Sequence, residues 1–178
     1  LVLIRYTFRM TLTTHSIIAA AVTNPLTHAH PALVFTAAVA SHYLSDAIPH
    51  WDYSLYSLQN KEHPDTRSWS NNIRLLIKDL LRIAFDACLG LIVVALLVDP
   101  HTLQEWLYVI LSAIGGMLPD FLQGCYITFK LPALRPLQRI HDIMHTKIRL
   151  GPYPLIGIPF QLLIVTIAML IVRGFILL

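Results

Sequence analysis

Two stretches of this chain stay apolar for longer than a soluble core helix can use. One is Ile73–Val98, whose first half carries Arg74, Lys78, Asp79, Arg82 and Asp86 and whose second half from Cys88 to Val98 carries no charge, and the other is Leu155–Leu178, whose one charged residue is Arg173. An α-helix rises 1.5 Å per residue, so about 20 apolar residues cross a hydrocarbon core roughly 30 Å thick. Both stretches meet that length. Composition points the same way. The 178 residues are 56% hydrophobic and 13% charged, with mean hydropathy +0.62, whereas soluble domains carry roughly 25% charged residues. The expected class is all-α: a polytopic integral membrane protein, read as a single membrane domain over residues 1–178.

Prolines and polar clusters divide the rest. Thr11–Thr23 reads as a short apolar helix capped by Thr13 or Thr14 and ended by Asn24-Pro25. Pro31–Ile48 reads as a second, with Pro31 in its first turn and Pro49 as its stop. His50–Asn72 is polar and aromatic, a loop. Ile73–Val98 is the third helix, Asp99-Pro100-His101 a tight turn, and Leu103–Leu118 the fourth helix, with continuation past Pro119 left open. Residues 134–150 form an interfacial segment, with an amphipathic helix over Leu137–Ile148. Leu155–Leu178 is the fifth apolar helix. The count is about five membrane-embedded helices plus the interfacial one. Leu1–Arg9 precedes Met10 and reads as an upstream extension or a short interfacial segment; it lacks the apolar core of a secretory signal. Cys88 and Cys125 fall in or beside apolar stretches and are expected as buried free thiols.

Lysine and arginine set an orientation. Arg5 and Arg9, then Lys61, Arg67, Arg74, Lys78 and Arg82, then Lys130, Arg135, Arg139, Lys147 and Arg149 all fall on one side if the helices alternate. The turns at 24–30 and 99–102 have none. Basic loops stay in the cytoplasm, so that side is expected to be cytoplasmic. Arg173 is the exception and can snorkel.

The same alternation gathers polar residues at that side. In His42-Tyr-Leu-Ser-Asp46-Ala-Ile-Pro-His50-Trp-Asp52, His42 and Asp46 are spaced i, i+4 and share a helix face. Two imidazoles and two carboxylates within eleven residues offer nitrogen and oxygen ligands suited to zinc or a similar divalent ion. Read blandly, they are a helix end meeting water. His141-Asp-Ile-Met-His145 repeats the spacing, with Asp142 as a ligand or supporting group, and reads equally as a solvated helix face. His15 opens helix 1, and Asp120 follows Leu118-Pro119. Asp79 and Asp86 lie on one face of helix 3 near Arg82, as an internal ion pair or as part of a site. His28, His30, His63 and His101 are read as surface residues.

The segment SHYLSDAIPHWD resembles the His-x-x-x-Asp-x-x-x-Pro-His element of the zinc-dependent phospholipase C and P1-nuclease group. With Thr14-His15, Leu118-Pro119-Asp120 and HDIMHT, the pattern resembles that of predicted bacterial membrane-bound metal-dependent hydrolases, although HDIMH is tighter than a His-Arg-Gly-x-Thr-His form. The resemblance implies a helical metal site, most simply zinc, formed by His15, His42, Asp46, His50, Asp120, His141 and His145. It implies hydrolysis of an ester or phosphoester in the bacterial inner membrane, and the position of the site at the headgroup level suits a lipid or lipid-linked substrate. Asp52 or Asp86 would then be the general base. The other classes to weigh are a divalent-cation or proton transporter, with Asp79 and Asp86 lining the path, and a membrane protein stapled by a structural metal. Nothing points to nucleic acid as a partner.

Overall fold

The computed structural model describes residues 8–60, 64–148 and 150–174. Six α-helices dominate: α1 (Leu12–Thr23), α2 (Pro31–Asp46), α3 (Ile73–Val98), α4 (Leu103–Phe129), α5 (Arg135–Met144) and α6 (Pro154–Val172). Three of them, α3, α4 and α6, are long and apolar enough to cross a membrane. The expected five spans are not reached, because α1 has 12 residues and α2 has 16. They form a short hairpin that packs among the long helices. Helix α1 contacts α2, α3, α4 and α6. Its run of alanine, serine and threonine keeps its surface thin, so neighbours close on it from all sides.

Local chemistry sets the ends. Thr11, rather than Thr13 or Thr14, caps α1 by accepting from the Thr14 N–H. His30 caps α2 through its ring, and Pro31 takes the first helical position. Helix α3 ends at Asp99, which adopts the left-handed conformation before Pro100. A reciprocal capping box between Thr102 and Glu105 starts α4. Helix α4 runs through Pro119 to Phe129, so Asp120 lies inside a helix and not at a turn. Helix α5 begins two residues earlier than expected and ends at Met144, leaving His145 as its cap.

The two ends of the bundle are built differently. Away from the α1 N-terminus the core is apolar, with Ile17, Val34, Val94, Leu97, Tyr108, Val109 and Ile171 in one cluster. Arg173 reaches the Leu97 carbonyl there at 3.3 Å. At the opposite end the buried residues are mostly polar. The 50–72 segment covers that end and is not wholly irregular. Strand β1 (Phe8–Met10) pairs antiparallel with β2 (Asp52–Ser54), with Met10 opposite Asp52. Strands β3 (Leu58–Gln59) and β4 (Ser68–Trp69) form a second pair. Residues 8–10 are therefore part of the fold, and residues 1–7 of the expected extension lie outside the described ones. Cys88 is exposed and Cys125 half-buried, both as free thiols, so neither is the buried thiol expected.

Candidate metal centre

The N-terminus of α1, the C-terminus of α2, the middle of α4 and the end of α5 meet at the polar end. They bring His15, His42, Asp46, His50, Asp120 and His141 together, all buried, with His145 half-buried beside them. Three overlapping groups have ligand atoms within 4.8 Å of one another: His15, His42 and Asp120; His42, Asp46 and His141; Asp46, His50 and His145. His42 and His50 therefore do not share one group, as adjacency in sequence implied. Asp46 stands between them, and His42 and Asp46 each belong to two groups.

Close approach of the helices makes this packing feasible. A Cβ added to Gly116 of α4 would lie 2.7 Å from the His15 carbonyl and 2.8 Å from the Ala19 Cβ. Any larger residue would push α4 off α1. Three residues on, Pro119 offers no N–H to the preceding turn.

The imidazoles are oriented alike. His15 Nδ1 lies 3.0 Å from Ser45 Oγ, whose own hydroxyl donates to the His42 carbonyl, so Nδ1–H donates to the serine. His42 Nδ1 donates to the Gly116 carbonyl at 2.7 Å, and His50 Nδ1 to the Ile48 carbonyl at 2.7 Å. His141 Nδ1 accepts from the side-chain amide nitrogen of Gln123 at 2.8 Å. Anchoring one ring nitrogen fixes which nitrogen is left to bind. For His15, His42 and His50 that nitrogen is Nε2, and in all four rings Nε2 points into the cluster.

There the Nε2 atoms meet carboxylates at short range but off hydrogen-bond geometry. His42 and His141 Nε2 each lie 3.2 Å from Asp46 Oδ2, and His15 Nε2 lies 3.3 Å from Asp46 Oδ1. His141 Nε2 is 3.4 Å and His15 Nε2 3.9 Å from Asp120. The Nε2 atoms of His15, His42, His50 and His141, together with Asp46 Oδ2, are buried without a hydrogen-bond partner. Buried polar atoms are rarely left so. Zinc–ligand bonds of roughly 2.0–2.2 Å put neighbouring ligand atoms of a tetrahedral site about 3.3–3.6 Å apart. The donor set, its spacing and its unpaired atoms thus fit a divalent cation.

Electrostatics divide the groups by role. Burial lowers His141, but the facing Asp120 and Asp46 carboxylates more than reverse that and raise it to about 9. Burial pushes His145 down to about 4, which keeps it neutral. Burial raises Asp52 to about 6 against the opposing effect of His50, whose Nε2 lies 3.0 Å away.

Three acidic residues raised by the sequence lie outside the cluster. Asp86 accepts from the N–H groups of Leu12 at 2.6 Å and Thr13 at 3.2 Å and from the Thr13 hydroxyl at 2.7 Å. It anchors the N-terminus of α1, where a negative charge is favoured, and Arg82 is not its partner. Asp79 binds the Ser57 N–H and hydroxyl, both at 2.7 Å, and so holds the covering loop; Arg82 is 3.9 Å away and donates instead to the Ser54 carbonyl. Asp142 pairs with Arg67 and Gln138. His28, His30 and His101 are exposed as expected, and His63 lies outside the described residues.

The supporting residues were not found by motif reading. Ser45 and Gln123 carry no signature of their own. Gln161 does carry one, as an amide in the apolar run of α6. It bridges Thr14 at 2.7 Å and the Trp51 N–H at 3.1 Å, tying α6 to the site. Set against models of protein families, curated proteins and solved structures, the chain gives no match.

Proposed function

We propose that this protein is a membrane-bound metal-dependent hydrolase acting on an ester or phosphoester at the cytoplasmic membrane interface. One observation carries the reading: the histidines of the cluster are tethered through Nδ1 and aim buried, unpartnered Nε2 atoms at shared carboxylates. His15, His42, Asp46, His50, Asp120, His141 and His145 would hold the metal, and zinc suits the mixed nitrogen and oxygen donors. When bound, such an ion supplies an electrophile for the scissile oxygen and lowers the pKa of coordinated water. Asp52 is the base. Buried beside the cluster, with its Oδ1 3.0 Å from His50 Nε2, it would accept a proton from the attacking water and return it to the leaving oxygen. Asp86, committed to α1, holds the scaffold. Among the described residues the far half of the bundle buries no Asp, Glu, His, Lys or Arg, which argues against an ion path through it.

The test is metal analysis of purified protein followed by a screen of carboxylic and phosphoric esters. Stoichiometric zinc with hydrolysis that a chelator abolishes supports the reading; protein that binds no divalent metal ends it. The orientation rests on the basic residues, so a reporter in the 55–70 segment should lie in the cytoplasm and one at 99–102 outside it.

A further inference from the structure

Helices α3 and α4 leave the 99–102 turn together, with Val94, Leu97, Tyr108 and Val109 in one core. Towards the metal cluster a cavity of about 890 Å³ lies between them, within the range of ligand pockets, roughly 300–1,000 Å³. It extends along α3 from Leu76 to Ala87, and along α4 from Phe129 to Ile114. Its walls are almost wholly apolar, and Asp120 is the acidic residue among them. Asp120 also belongs to one of the metal-ligand groups. The groove and the candidate centre therefore share a wall.

From this we infer that the groove takes one acyl chain of a membrane phospholipid and thereby presents the lipid's ester or phosphoester linkage to the His/Asp cluster. The inference rests on the hydrolase reading of that cluster. Both flanking helices are long and apolar enough to span the bilayer, so a chain can enter sideways without crossing water. A peptide does not suit these walls, because its backbone N–H and C=O groups would find few partners there and each costs free energy when buried unpaired. An acyl chain carries no such groups. Asp120, partway along the α4 wall, is where the groove meets the cluster, and a headgroup linkage belongs there.

Gly124 allows a clean test. It lines the groove, and a Cβ placed there meets no atom within 4 Å. Gly124→Phe should fill the groove without displacing a neighbour, and Gly124→Ala should leave it open. The full chain is reconstituted into phosphatidylethanolamine–phosphatidylglycerol vesicles containing a phosphatidylglycerol with a photoactivatable group midway along one acyl chain. After illumination, labelled residues are mapped by mass spectrometry and zinc is measured in the same samples. We expect label concentrated on the groove-facing residues of 76–87 and 114–129, reduced at least fivefold by Gly124→Phe and unchanged by Gly124→Ala, with zinc content equal throughout. Outward-facing Leu96 and Leu162, which are 71% and 59% exposed, should label equally in all three proteins. Label spread evenly over outward and groove-facing residues, or groove label indifferent to Gly124→Phe, overturns the inference while leaving the metal centre standing. If Gly124→Phe fails to fold, Gly124→Leu makes the same comparison. Groove label in a parent protein that holds no zinc has the opposite meaning: the lipid site stands and the hydrolase reading fails.

Discussion

Histidine occurs at both ends of the bundle, and the two ends use it differently. At the far end His101 lies 3.4 Å from Asp99, a pairing as close in space as several in the metal cluster, yet both side chains are more than 70% exposed. His30 caps a helix there, and His28 meets Gln104 at the surface. At the other end His15, His42, His50 and His141 are 3% exposed or less. Water satisfies the first set, so their arrangement demands no ligand. The second set has lost water and has not gained hydrogen bonds for Nε2. Proximity of His to Asp is therefore not the signal. Burial with one ring nitrogen tethered and the other left over is.

The largest effect should come from Asp46, which, like His42, serves two of the three ligand groups and whose carboxylate also faces the Nε2 atoms of His15, His42 and His141. Asp46→Ala should remove nearly all bound zinc, well beyond the roughly 10–100-fold loss of affinity that follows removal of a supporting residue; full occupancy by elemental analysis would move the metal elsewhere. Asp52→Asn separates chemistry from binding. It should keep its zinc and lose about 10²–10⁴-fold in turnover, the usual contribution of a general base, and unchanged turnover would remove Asp52 from that role. Acidity gives the next test. With His141 raised to about 9, the metal-free cluster holds a proton there at neutral pH that zinc must displace. Affinity should therefore rise by up to about tenfold per pH unit as pH approaches 9 and flatten above it. A flat profile across that window, read by competition with a metal-sensitive dye, would contradict the role given to His141.

Smaller effects probe the supports. Ser45→Ala deletes the acceptor that orients His15 and should weaken zinc binding about tenfold, at the low end for a supporting partner. An undiminished affinity would mean that packing alone holds that ring. At the bottom of the scale, His101→Ala should leave zinc content and turnover as they were, because nothing at the exposed end depends on it. A measurable loss of zinc there would break the contrast between the two ends.

Much of this was legible in the chain. The apolar lengths predicted α3 to the residue, and the i, i+4 spacing put His42 and Asp46 on one face. The six helices were legible, but about five spans are not confirmed, because apolarity alone does not separate a span from a short helix buried by its neighbours. Ala-rich α1 is apolar because protein surrounds it. Asp86 was misread for a similar reason. A carboxylate deep in an apolar helix signals a buried partner, but the partner was the N-terminus of α1, 74 residues away in sequence.

The sequence by itself determined the material of the site: which residues are ionisable, which lie near helix ends, and which end of the bundle collects them. Those are properties of spacing and hydropathy, and they are local. Only the tertiary structure decided which ligands belong together, that His42 and Asp46 each serve two groups, and which nitrogen each ring presents. Those follow from Ser45, Gly116 and Gln123, whose hydroxyl, carbonyl and amide reach their histidines across 30, 74 and 18 residues of chain. Hydrogen bonds of that kind are set by how closely helices approach, and Gly116 permits that approach only because its missing side chain leaves room for α1.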